Sequence, residues 1–440
     1  MSIAAQTASA LARAVFISGA AVALSGWLAR SFAGMRGRAH TIAWALLLAP
    51  FLTPSLLISY AFSRFALAFI ISPLSHQTLY VAVLLLKLVP VATLIRWLMP
   101  PLLSAEARHC HRTLAAPSLF EIAMFRLRSA GPGPWSAGTI VFLLAFADFE
   151  LASLWSVKTW TVAIFDAQTG GLNLFETLRF AACPLGIQLA VLTLLTLRGG
   201  RTSSPAKADR AKLSRLIFVY LAPVAVIVCA LPLLIVTVQA AIGFRAVMEN
   251  FVLGNEIAAS VLFAFSAAVL ANVRFLRARV IPGIPGLLGS LMVALLVLAL
   301  FQTPLLRPAY DTPLPLLLAL TIFLLPLALL LRALLQMRRT TPMRHIARQV
   351  GSRRLAWDLE WQPRLAAFGL LFCWAYFDFT ASSILAPVGM TPVFVRLHNL
   401  AHYGQTAVLS AMMLAAFAGP VALLLLTIAA GKIYSRRDAC

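Results

Sequence analysis

Apolar runs of about twenty residues, parted by short polar segments, set the pattern of this chain. Crossing a hydrocarbon core of about 30 Å takes roughly 20 apolar residues in a helix. By that measure the pattern predicts eleven spans, near 10–31, 41–63, 79–98, 136–156, 180–198, 215–239, 256–274, 284–303, 312–335, 365–387 and 406–431. Residues 65–73 (FALAFIISP) are apolar but too short to cross, and read as a re-entrant or interfacial stretch. Only helices and closed barrels satisfy their backbone inside lipid, and runs this long select helices. The expected fold class is an all-α polytopic membrane protein.

The polar segments carry the orientation. One set of loops holds Arg30, Arg36 and Arg38; Arg108, Arg112, Arg126 and Arg128; Arg198, Arg201, Lys207, Arg210 and Lys212; and Arg274, Arg277 and Arg279. The loop with Arg338, Arg339, Arg344, Arg348, Arg353 and Arg354 and the tail with Lys432, Arg436 and Arg437 complete that set. The alternate loops hold isolated charges such as Lys158, Arg245, Arg307 and Arg396. Basic loops stay in the cytoplasm, so an odd number of spans puts the C-terminus inside and the N-terminus outside. GGRTSSPAKADRAK (Gly199–Lys212) is rich in Ser, Pro and charge and reads as a cytoplasmic linker.

Two segments then repeat without a gap at an offset of 230: AFADFELASLWSVKTWT (Ala145–Thr161) and AYFDFTASSILAPVGMT (Ala375–Thr391). Asp148 falls on Asp378, Phe149 on Phe379, Ser153 on Ser383 and Thr161 on Thr391. Upstream, Thr53-Pro54 and Tyr60 match Thr303-Pro304 and Tyr310 at an offset of 250. Two copies in the same order imply duplication, and parallel repeats of membrane helices are a transporter layout with the substrate route between halves. The halves are expected at 1–205 and 206–440, pairing spans 1–5 with spans 7–11 and leaving span 6 unmatched.

Composition agrees with the pattern. The 440 residues are 61% hydrophobic and 11% charged, against about 25% charged in soluble proteins. The net charge of +22 sits in short loops between apolar runs, not on a contiguous basic face, which excludes nucleic acid as a partner. Cys110, Cys183, Cys229, Cys373 and Cys440 show no metal-ligand spacing, and packing is the expected role of Cys183, Cys229 and Cys373. The first thirty residues lack a cleavage signal and read as an uncleaved span.

Each repeated Asp-Phe segment follows a long cytoplasmic loop. In the second half it is RHIARQVGSRRLAWDLEWQP (Arg344–Pro363): a short helix ending near Gly351, then an amphipathic stretch with Leu355, Leu359 and Trp361 near one side. Such a face fits a protein groove or an interfacial bed of anionic lipid. HIARQVG followed by Pro363 is similar to the EAA loop of binding-protein-dependent ABC transporter permeases. Ala347 and Gly351 match that loop's pattern, His345 and Ile346 stand for its Glu-Ala, and Gln362-Pro363 for its Leu-Pro. The Asp-Phe segment resembles the family's downstream acidic-Phe-Gly stretch, with Thr380 in place of Gly. Two fused halves look most like the ferric-iron and thiamine branch. The first-half loop, Ser104–Pro134, offers Glu106-Ala107 as an EAA start and Ala115 at the glycine position, but its spacing to Pro134 is too long. The resemblance implies a type I importer permease in a bacterial cytoplasmic membrane. It also implies that these loops dock on two separate ATP-binding subunits, and that a periplasmic or extracellular substrate-binding protein docks at the outer loops 157–179 and 388–404. The chain has no G-x-x-x-x-G-K-[ST] and cannot cradle nucleotide phosphates itself; no cofactor is implied.

Asp148, Glu150 and Asp378 fall inside predicted spans, where a charge costs about 2.5–3.5 kcal/mol and so faces a partner or a wet cavity. Asp148 and Asp378 either face each other across a pseudo-twofold route, or accept local backbone and hydroxyl hydrogen bonds that pin their helices. Lys87, mid-span with Pro90 three residues on, pairs with a carboxylate such as Glu150 or snorkels to an interface. Pro50, Pro54 and Pro304 are expected to kink spans 2 and 8. His76, His398 and His402 lie on the outer side as solvated loop residues, with no spacing for a metal. No nucleophile–base pair marks an enzyme. The alternative function is an ion-coupled secondary transporter using Lys87, Asp148 and Asp378 as a relay.

Overall fold

The structure, a computed structural model, describes residues 2–35, 37–70, 73–99, 110, 113, 118, 121, 131–198, 216–250, 253–272, 285–338, 353–401, 406–417, 419–423 and 426. Among these the chain is all helical, without strands. It is a polytopic helical membrane protein. Among the described residues seven helices are long and apolar enough to cross a membrane, and one bent pair makes an eighth. At three further expected spans the apolar helices are shorter, 10–17 residues.

The chain forms two compact units, Met1–Leu233 and Leu234–Cys440. The first contains α1 (Ile3–Ala33), α2 (Gly37–Leu52), α3 (Ser55–Ile70), α4 (Pro73–Leu98), α5 (Pro132–Phe146), α6 (Glu150–Leu154), α7 (Trp160–Thr169), α8 (Leu174–Arg198) and α9 (Leu216–Ala225). Helix α10 (Leu231–Asn250) crosses the boundary. The second unit holds α11 (Gly254–Asn272), α12 (Ser290–Phe301), α13 (Leu314–Arg338), α14 (Arg353–Tyr376), α15 (Thr380–Leu385), α16 (Val393–Ala401) and α17 (Thr406–Ala416). A π-helical turn at Val226–Ala230 joins α9 to α10. Pro232 just beyond has no N–H for the carbonyl four residues back, and a widened turn is one way a helix absorbs that loss.

The same helix pairs pack in each unit. In the first, α1 lies against α4, α5 and α7, α4 against α2, α5 and α6, and α7 against α8. In the second, α11 lies against α13, α14 and α16, α13 against α12, α14 and α15, and α16 against α17. Further equivalent details accompany this. Phe142 stacks on Phe146 with centroids 5.6 Å apart, and Phe372 on Tyr376 at 5.7 Å. LVPVATLIRWL (88–98) in α4 matches LLPLALLLRAL (324–334) in α13 at an offset of 236, setting Pro90 on Pro326 and Arg96 on Arg332.

Outward faces are apolar: Phe16 on α1, Leu197 on α8 and Ile242 on α10 are exposed, as lipid-facing residues should be. Small residues bring helices close where lipid offers no hydrophobic drive. Gly243 on α10 lies so near the backbone of Ala407 on α17 that a Cβ there would collide with its carbonyl.

The kink expected in span 41–63 is a bend of 76° around Thr53-Pro54, between α2 and Ser55–Phe62 of α3. Two expectations change. Residues 65–70 continue α3 and do not form a separate re-entrant stretch. The spans expected at 136–156 and 365–387 are not continuous: each breaks over three residues, Ala147–Phe149 and Phe377–Phe379. The break follows from the aspartate, whose carboxylate satisfies the backbone of the next turn in place of the helix ladder.

Candidate functional site

The two breaks lie at the repeated aspartates. In the first unit the Ala152 N–H donates to Asp148 Oδ2 at 3.2 Å, and the Tyr80 hydroxyl of α4 donates to the same oxygen at 2.9 Å. In the second unit the Ala381 N–H donates to Asp378 Oδ2 at 2.9 Å, and the Ser290 hydroxyl of α12 donates to Oδ1 at 2.6 Å. Each carboxylate thus caps the short helix after its own break and ties it to a neighbouring helix. The local backbone repeats as well: Ser153 N–H donates to the Phe149 carbonyl and Ser383 N–H to the Phe379 carbonyl, both at 2.8 Å.

Breaking a helix in lipid frees carbonyls that must find donors. Thr159 caps α7 through the Val162 N–H, and this short helix supplies the donors that the first break needs. Trp160 Nε1 donates to the Phe146 carbonyl at 2.9 Å, and the Thr161 hydroxyl donates to the Asp148 carbonyl at 2.8 Å. Trp155 Nε1 reaches the Ser59 carbonyl on α3 at 3.3 Å. Trp160 is fully buried. Trp160→Phe, which strands the Phe146 carbonyl, is expected to cost about 1–3 kcal/mol. At roughly 2–4 °C per kcal/mol, thermal unfolding of the purified chain reads that loss; an unchanged midpoint would refute the capping role.

The two sites differ in charge. Lys87 on α4 donates to Ser55 Oγ at 2.8 Å, and it lies within electrostatic reach of Glu150 first and Asp148 second. Ser55 opens α3 just after the bend, where the helix dipole disfavours a cation. The carboxylates of Glu150 and Asp148 offset that. Thr53 at the bend donates to the Ala49 carbonyl at 2.8 Å, with Cys229 Sγ of the π turn 3.1 Å away. The Arg13 guanidinium lies 5.7 Å from the centre of the Tyr80 ring. In the second unit the positions matching Lys87 and Tyr80 are Phe323 and Leu316, and Thr380 stands for Glu150. Phe323 packs near Trp374 with centroids 6.2 Å apart. Lys87 and Glu150 thus accompany the first break, where the second has Phe323 and Thr380.

No family model matches the chain, and no curated protein or solved structure does.

The sequence-predicted residues fall unevenly on this geometry. Asp148, Glu150 and Lys87 come together in the first unit, and Asp378 forms the matching break in the second. Among the coupling-loop residues, Glu106, Ala107, Ala115, His345, Ala347 and Gly351 lie outside the described residues. Pro363 lies within α14, which runs without interruption from the basic loop to the break. His398 is not a solvated loop residue: it sits buried in α16, its ring stacked on Phe379 at 4.0 Å. The α16 helix is fastened to α11 by the Val393 N–H donating to Ser260 Oγ at 2.8 Å and by Arg396 3.9 Å from Glu256. Among the described residues no group of three His, Cys, Asp or Glu side chains is placed to hold a metal. Sequence reasoning missed Tyr80, Ser290 and Trp160. It also missed the Pro90/Arg96 repeat, which aligns with Pro326 and Arg332 at an offset of 236.

Proposed function

We propose that this chain is the transmembrane permease subunit of an ATP-driven importer, built from two repeated helical halves and served by separate ATP-binding subunits. The observation that carries the reading is α14. It is a single helix of 24 residues, about 36 Å long, leading from the long basic loop directly to the break at Asp378. A rod of that length transmits a push on the loop to the middle of the membrane, and the capped break gives the motion a fixed place to bend. Binding and hydrolysis of ATP on the partner subunits would move the loops, and the loops would move the broken helices. The chain itself performs no covalent step. Fusion of the halves favours ferric iron or thiamine as cargo, with the loaded binding protein received at the outer segments that carry α7 and α16.

Isolation of the full chain in mild detergent from its native cells tests this. Two ATP-hydrolysing subunits are expected to co-elute with each chain. Elution of the chain alone, with gradient-driven uptake intact on reconstitution, would sink the importer reading. That outcome would favour the second reading, an ion-coupled secondary transporter, for which the specific observation is the intramembrane group of Lys87, Glu150, Asp148 and Tyr80.

A further inference from the structure

At one end of the first unit two arginines meet on a single glycine. Gly26 lies buried on α1 facing α4, and a Cβ added there would come 2.5 Å from Arg96 Nη1, 3.0 Å from its Cζ and 3.2 Å from its Nη2. The Arg96 guanidinium therefore lies flat on the bare backbone of Gly26, a seat that any larger residue would fill. Arg96 Nη1 donates to the Val22 carbonyl at 2.8 Å, and Arg30 Nε donates to the carbonyl of Gly26 itself at 2.9 Å. Two like charges thus share one turn of α1, near enough to repel each other. Among the described residues no carboxylate forms an ion pair with either.

A guanidinium has five N–H donors, and each of these uses one on the backbone. The rest form a planar fork of the kind that grips phosphate through paired hydrogen bonds. The depth is that of lipid headgroups. Trp97, next to Arg96, packs 5.7 Å from Trp44, and Trp27, next to Gly26, packs 6.1 Å from Tyr220. Indoles gather at membrane–water interfaces, and the adjoining loop carries Arg36 and Arg38. A second, matched arginine, Arg332, stands on α13.

We propose that Gly26, Arg30 and Arg96 form a binding site for the phosphate of an anionic phospholipid on the basic-loop side of the membrane. The bound phosphodiester neutralises the repulsion and bridges α1 to α4. The proposed site lies in the first unit, and it stands whatever cargo the chain carries.

The test uses the purified full chain in detergent, titrated with phosphatidylglycerol, phosphatidylcholine or inorganic phosphate, reading the thermal midpoint and the lipid retained in native mass spectra. Phosphatidylglycerol is expected to raise the midpoint and to be retained. Arg30→Gln and Arg96→Gln are each expected to weaken its binding roughly tenfold, as loss of one phosphate contact would. Arg332→Gln is expected to leave it unchanged. Gly26→Val, which displaces the Arg96 guanidinium without removing a charge, should weaken it as well. If Arg96→Gln fails to fold, Arg30→Gln decides, because it keeps the Arg96 bond to Val22. A midpoint rise with inorganic phosphate, abolished in Arg30→Gln, would keep the anion site and overturn the lipid as its source. Equal responses to phosphatidylglycerol and phosphatidylcholine, unchanged in Arg30→Gln, would overturn the site.

Discussion

Asp378→Ala is expected to destabilise the protein by about 2–4 kcal/mol, while Asp378→Asn costs less than about 1 kcal/mol. The difference follows from which donors the carboxylate serves. Asp378 is buried, and it accepts from the Ser290 hydroxyl and from the Ala381 N–H. Alanine removes both acceptors, leaving the hydroxyl without its partner and the Ala381 N–H with only a 3.2 Å bond to Ser290 Oγ. Asparagine keeps one oxygen for the Ala381 N–H and turns its amide toward Ser290, whose hydroxyl oxygen can accept. Thermal unfolding of the three proteins in one detergent gives the order. Were the negative charge itself what matters, as for a group that ligates a cationic cargo, asparagine would abolish uptake at unchanged stability. Asparagine with near-normal uptake leaves the aspartate as the anchor of the break.

Gly351→Trp is expected to cut uptake by roughly 30-fold, the effect of losing about 2 kcal/mol at an interface hot spot, with the thermal midpoint of the chain itself unmoved. Gly351 occupies the glycine position of the EAA-like pattern, and α14 begins two residues later at Arg353. A bulky side chain there would disturb the proposed contact with the ATP-binding subunit while leaving α14 and the break at Asp378 to fold as before. Retained uptake with Gly351→Trp would mean that the loop couples to nothing. A fall in midpoint equal to the fall in uptake would make the effect one of folding.

The membrane-helix class was legible because it depends on local letters. Apolar length announces a membrane helix, and two seventeen-residue segments of matched sequence announce a repeat. The bend at Thr53-Pro54 was legible for the same reason, since proline takes an N–H from the ladder. The breaks at Asp148 and Asp378 were not. No glycine or proline lies at Ala147–Phe149 or Phe377–Phe379, and a hydropathy window averages across three residues without a trace. What holds each break comes from far along the chain: Tyr80 is 68 residues from Asp148 and Ser290 is 88 from Asp378. Periodicity carries no information at such separations. The Pro90/Arg96 echo escaped because it runs at an offset of 236, between the offsets of 230 and 250 that the other echoes follow. His398 misled for another reason. Its segment resembles a polar outer loop, yet α16 folds back so that the imidazole covers Phe379.

Uptake into proteoliposomes containing the chain and whatever subunits co-purify with it, with the loaded binding protein outside and no ion gradient, decides between the two readings. Accumulation is expected to require ATP on the side of the basic loops and to fail with Gly351→Trp. Accumulation driven by an imposed ion gradient in the absence of ATP, and indifferent to Gly351→Trp, would contradict the importer reading.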